Sequence, residues 1–121
     1  MEDVKEIKIP TIQNCSQKIR AIHDTMDALS GKWKVSIIAC LCFRPMRYSE
    51  LLKEVKGISG KMLSRELKDL ELNDLIFRHV SENKPITVTY EISEYGKSLK
   101  KVIDVIAEWG LNHRKNTINK F

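Results

Sequence analysis

Lys61, Ser64, Arg65 and Lys68 stand at helical spacing within "GISGKMLSRELKDLELNDLI", residues 57–76. With a helix begun at Ser59 and turned 100° per residue, they share one face. Leu63, Leu67 and Leu70 form an apolar stripe on the opposite side, and Glu66 and Asp69 fall on the flanks. A face of cations and a hydroxyl suits hydrogen-bond donation to a polyanion. Lys61 and Arg65 can donate to guanine acceptors or to phosphates, and Ser64 can serve either. Ser59, Lys61, Ser64 and Arg65 lie in the N-terminal half, the part of a helix best placed to reach base edges in a major groove. Lys68, further along, suits a backbone phosphate. Met62 lies off the stripe, where it packs in a core or meets a thymine methyl. The same face would also serve as an ordinary solvated surface, so the rest of the chain has to decide.

Other chemistries find less support. Cys40 and Cys42 lie two apart in an apolar stretch with no histidine at metal-ligand spacing, which reads as structural thiols and not as a metal site. His23, His79 and His113 are scattered, with no Ser-His-Asp order, paired carboxylates or glycine-rich phosphate loop. We therefore expect no enzyme, cofactor or metal. The 121 residues fit one domain, and 42% hydrophobic with 31% charged residues suits a globular soluble chain. A net charge of +5 permits a polyanionic partner without demanding one. The longest apolar run, "VSIIACLCF", falls well short of the ~20 residues of a membrane span, and "MEDVKEIKIP" has no apolar leader. Three cysteines without framework spacing suit a reducing cytoplasm.

The elements that must position the basic face follow from capping residues and periodicity. Asn14, with Gln17 three residues on, resembles a capping box that opens a helix to about residue 29. Ser30 can cap a second helix, "GKWKVSIIACLCF", apolar nearly all round and hence central, which Arg44-Pro45 ends. Ser49 with Glu50 starts a short helix to about Val55, Gly57 supplies a turn, and Ser59 begins the basic helix. The period then changes: Ile86, Val88, Tyr90 and Ile92 alternate with polar residues in "ITVTYEIS", a half-buried strand. "LIFRHVS" is its partner, with Glu82-Asn83-Lys84-Pro85 as a polar tip. Ser93 and Glu94 open a last helix on which Leu99, Val102, Ile103, Ile106 and Trp109 share a face. The expected fold is mainly α with a small β-hairpin (α+β): a helix-turn-helix with a wing, as one domain over residues 14–121 behind an arm of residues 1–13. In that fold Arg47 and Ser49 lie where the preceding helix meets the DNA backbone, and Arg78, Asn83 and Lys84 on the wing can follow phosphates or enter a minor groove.

The ordered set of residues makes the reading more specific. Cys15, Gly31-Lys32-Trp33, Arg47-Tyr48-Ser49-Glu50-Leu51, Gly57-Ile58-Ser59, Lys61-Met62-Leu63-Ser64, Leu67-Lys68, Leu70-Glu71, Leu75-Ile76, Arg78, Pro85 with Val88 and Tyr90, Gly96 and Trp109-Gly110 follow one another from about residue 15 to 112. In this the chain resembles HxlR-type winged helix-turn-helix transcriptional regulators of bacteria. Asn73-Asp74 stands where that family has an Asp-Gly-like turn, and both residues tolerate the left-handed conformation. The resemblance implies a sequence-specific regulator of double-stranded DNA, a homodimer on a palindrome-like operator. It places the dimer contact on the first and last helices, whose apolar spacings exceed what a winged core needs; Ile19, Ile22, Met26, Leu29, Val102, Ile106 and Trp109 are the expected interface. Cys15, at the first turn of a helix and near Lys18, is a candidate thiol sensor, since several regulators of this type use a cysteine just before the first helix. The alternative is a winged-helix module that binds an acidic protein surface instead of DNA. No small-molecule inducer is legible.

Overall fold

A computed structural model of the protein describes residues 11–119, so most of the expected arm, residues 1–10, lies outside the described residues. The chain divides into two compact units, one ending at Ser30 and the other beginning at Gly31. In the first, α1 spans Cys15–Ala28, close to the expected bounds. The Asn14 side chain accepts from the Gln17 backbone N–H at 2.9 Å. Gln17 returns the favour one residue further out than in the usual box, accepting from the Gln13 N–H at 2.9 Å. No residue of α1 is buried; Ile19, Ile22 and Met26 lie on one side of it, each about half exposed. Leu29, just past its end, is buried.

The second unit runs α2 Lys34–Phe43, β1 Met46–Arg47, α3 Tyr48–Glu54, α4 Gly60–Leu72, β2 Ile76–Val80, β3 Val88–Ile92, α5 Glu94–Lys97 and α6 Lys100–Asn119. As its all-round apolarity predicts, α2 is central: Ile37, Ile38 and Leu41 are buried, together with Leu51 of α3 and Leu63, Leu67 and Leu70 of α4. Ser30 does not cap α2. Gly31 takes a φ of +83°, a left-handed turn that glycine adopts without strain, and the helix starts only at Lys34 with Trp33 as an N-cap lacking a side-chain bond. Gly57, in the turn between α3 and α4, has φ +92°, as expected. Ser59 caps α4, accepting from the Met62 N–H at 3.1 Å, and Asp74, at φ +58°, ends the passage out of it.

The wing is larger than a hairpin. Its sheet has three antiparallel strands in the order β1-β3-β2. β2 and β3 pair from Ile76↔Ile92 to Val80↔Val88, and Met46↔Tyr90 and Arg47↔Thr89 add β1. A two-residue strand has no periodicity to betray it. The predicted alternation holds at Tyr90 and Ile92, which are buried, but fails at Ile86, which is 70% exposed because it lies beyond the last paired residue. The last helix is broken as well. Ser93 caps α5 through the Gly96 N–H, but the Ser98 and Leu99 N–H groups turn back three residues to Tyr95 and Gly96, tightening the chain before α6 begins. Ile103 is buried, whereas Val102, Ile106 and Trp109 are exposed.

The joint between α4 and α5 allows no side chain at residue 96. A Cβ on Gly96 would overlap the Leu75 carbonyl oxygen and come within 2.8 Å of the Ile92 side chain. Gly96→Ala should therefore destabilise the protein by about 1–3 kcal/mol or more through overpacking, whereas Gly110→Ala, with open space around it, should leave the urea midpoint near that of the parent.

Candidate nucleic-acid interface

The basic face of α4 is built by burial of its opposite side. Leu63, Leu67 and Leu70 anchor α4 in the core, so Ser59, Lys61, Ser64, Arg65 and Lys68 are left exposed. Ser59, Lys61, Met62 and Arg65 line one open hollow of about 260 Å³ at the N-terminal half of the helix. Met62 is half-buried within it. Among the described residues, Arg47, Lys61, Arg65, Lys68, Arg78 and Lys84 take part in no salt bridge.

The preceding helix meets this end of α4. Tyr48, first residue of α3, donates its hydroxyl to the Gly60 carbonyl at 2.7 Å and accepts from the Ser64 hydroxyl at 3.3 Å. That brings Arg47 and Ser49, both exposed, to the same junction. The Glu50 carboxylate accepts from the Arg47 N–H at 2.9 Å; an arginine side chain is all donor, so it cannot supply the other half of a capping box. That N–H bond, aided by Arg44, holds the Glu50 carboxyl below the usual carboxylate range. On the wing, Arg78 projects from β2, and Asn83 and Lys84 sit at the exposed tip. The Asn83 N–H donates to the Ser81 hydroxyl at 3.2 Å, and the Ser81 N–H to the Thr87 carbonyl at 2.8 Å. Within the described contacts the wing cations and those of α4 remain separate groups.

Helical periodicity alone does not reveal how α2 and α4 are joined. Glu66 does not lie on a solvated flank. It is buried, and its carboxylate accepts from the equally buried Lys34 ammonium at 2.6 Å, with Asp69 3.3 Å from the same nitrogen. Burial alone would lower the Lys34 pKa; the hydrogen bonds and charges of Glu66 and Asp69 more than reverse this and hold it above the usual lysine value. The signal is Lys34 at the head of a mostly apolar helix, where a buried charge requires a partner. The pair ties α2 to α4 and withdraws two acidic charges from the helix that carries the basic face.

A family profile described as HxlR-like helix-turn-helix matches residues 28–118. The chain belongs to the HxlR-like family. It is 39% identical over 93 residues to the uncharacterized HTH-type transcriptional regulator YtcD of Bacillus subtilis (strain 168), covering 77% of this chain and 74% of that protein. The crystal structure of ytcD superposes with a TM-score of 0.74 at 38% identity, over 78% of this chain and 96% of that one. The redox regulator HypR in its reduced form gives 0.76 at 26% identity, over 84% and 99%. Reduced YodB of B. subtilis gives 0.67 at 31% identity, over 74% and 87%. The protein is thus a winged helix-turn-helix transcriptional regulator, as its residues suggested.

The three thiols of this HxlR-like chain differ in setting. Cys15 is exposed at the first turn of α1. Cys40 and Cys42 on α2 are half-buried, and burial pushes both thiols up, away from the thiolate that reacts or binds metal. Among the described residues no cluster of His, Cys, Asp or Glu has the arrangement of a metal site, and no helix is long and apolar enough to cross a membrane.

Breaking the α2–α4 ion pair should be costly. Glu66→Ala leaves a buried ammonium short of a partner and should lose about 3–5 kcal/mol in urea unfolding. Lys34→Met combined with Glu66→Leu should recover most of that. A raised folded-state pKa means that Lys34 contributes its stability fully below 10.5 and loses it only as pH climbs through the raised value. The Glu66→Ala deficit should therefore not change between about pH 6 and pH 9 on account of Lys34.

Proposed function

We propose that the protein regulates transcription as a homodimer that reads a palindrome-like site in double-stranded DNA, with α4 in the major groove. The observation that carries this reading is the exposed N-terminal half of α4, where Ser59, Lys61, Met62 and Arg65 line one hollow and the cations form no salt bridge among the described residues. Lys61 and Arg65 reach base edges, Ser64 meets a base edge between them, Ser59 serves base or phosphate, and Lys68 takes phosphate. Arg47 and Ser49 meet the backbone at the start of α3. Arg78, Asn83 and Lys84 carry the wing along phosphates or into the minor groove. Lys61→Ala and Arg65→Ala should each weaken operator binding by about 1–3 kcal/mol where a base contact is lost. Lys84→Ala should instead weaken all duplexes alike and lower the salt slope by about 1. Fluorescence anisotropy against specific and scrambled duplexes at several salt concentrations separates the two. Operator affinity equal to the parent's in the Lys61 and Arg65 variants would leave α4 a solvated face.

Dimerisation through α1 and α6 is supported by the apolar face each leaves exposed: Ile19, Ile22 and Met26 on one, Val102, Ile106 and Trp109 on the other. Leu29, buried, serves this interface less directly. One winged module spans too few base pairs for tight genomic recognition, and a dimer sets two recognition helices about 34 Å apart. Sedimentation should give a dimer at micromolar concentration that Ile106→Asp converts to monomer, with loss of binding to the full site. A parent that sediments as a monomer and binds one half-site contradicts the dimer.

Cys15 is the candidate sensor within this reading. Its support is exposure at the first turn of a proposed dimer helix and the likeness to a regulator whose solved forms include a diamide-treated one. Oxidation there would move the dimer helices and hence the spacing of the recognition helices. Diamide should lower operator affinity in the parent and leave Cys15→Ser unaffected; an equal change in both excludes Cys15.

A further inference from the structure

The hydroxyl chain at the α3–α4 junction fixes more than packing. Tyr48 has one proton, and the Gly60 carbonyl 2.7 Å away can only accept it. With that proton committed, the tyrosine oxygen can face the Ser64 hydroxyl only as an acceptor, so the 3.3 Å contact between them consumes the Ser64 proton. Ser64 is exposed on the basic face of α4, and what remains outward is a pair of oxygen lone pairs. The close approach depends on Gly60, since a Cβ there would lie 3.0 Å from the Tyr48 oxygen. An unconstrained serine is an ambiguous reader, able to donate or to accept; this one has its donor withdrawn. The geometry points to Ser64 as a specificity-determining acceptor, oriented by Tyr48, that selects a base carrying an amino group in the major groove. Only cytosine, through N4, and adenine, through N6, present such a donor; guanine and thymine offer acceptors at the corresponding edge. Lys61 and Arg65, all donor, select the opposite kind of edge, so neighbouring positions on the reading face call for different bases.

This inference rests on the proposed docking of α4 in the major groove, and the experiment separates the two. Selection from a random duplex library with the full-length protein yields the preferred site, and each position is then replaced by all four bases and titrated by anisotropy. One position per half-site should favour dC or dA over dG and dT by about 3–10-fold, the worth of one neutral hydrogen bond. Ser64→Ala should abolish that preference alone. Tyr48→Phe, which removes one oxygen and keeps the ring, should free the serine proton, so that dG or dT at the same position binds better than in the parent and the preference falls below twofold. Circular dichroism verifies that both variants are folded. A Ser64-dependent position that favours dG or dT overturns the inference while leaving DNA binding intact, as does a preference that survives Tyr48→Phe or a uniform loss on Ser64→Ala. Failure to enrich any sequence overturns the docking reading itself, and the inference with it.

Discussion

The buried contact between Lys34 and Glu66 is the constraint on which the basic face of α4 depends. An ammonium and a carboxylate removed from water are tolerable only with close mutual geometry, and at 2.6 Å they have it. Because one partner opens α2 and the other lies in the middle of α4, the contact fixes how α4 is rotated on the central helix. A rotation of α4 that carried Glu66 toward solvent would expose Leu63 and Leu70 and strand a charge in the core. Apolar packing alone tolerates small slippage; a buried ion pair does not. Asp69 reinforces the arrangement from one turn further on.

The same contact organises charge. Helix α4 carries Glu66, Asp69 and Glu71 as well as Lys61, Arg65 and Lys68, in electrical balance when counted along the chain. Folding redistributes it: two of the acids face one lysine from another helix, while the cations keep to the exposed side. A helix neutral in sequence thereby acquires a positive face.

Much of this was legible in the residues. The caps at Asn14, Ser59 and Ser93, the central position of the apolar helix, the left-handed Asp74 and the basic face of α4 all follow from local chemistry that tertiary contacts did not override. The misses share a cause. The strand Met46–Arg47 exists only because β3 is there to pair with it, and the delayed start of α2 follows from one backbone angle at Gly31. Lys34 and Glu66, 32 residues apart, look like ordinary surface charges until the fold brings them together. The sequence around Tyr48 shows no role for it, because its hydroxyl gains one only where α4 begins. Sequence periodicity reports which face of an element is apolar; it does not report which polar residues at the edge of that face are drawn inward.

The placement of β3 at the middle of the sheet, with β1 on one side and β2 on the other, sets where the chain can change length. β1 is two residues long and runs directly into Tyr48 at the start of α3. An insertion between Arg44 and Tyr48 would break the register with Tyr90 and Thr89 and displace the Tyr48 hydroxyl from Gly60 in one stroke. The tip between Val80 and Val88 has no such obligation: residues 82–86 are exposed and lie outside the paired register. Residues can be added or deleted at the tip, while the joint between sheet and helix-turn-helix stays fixed in length.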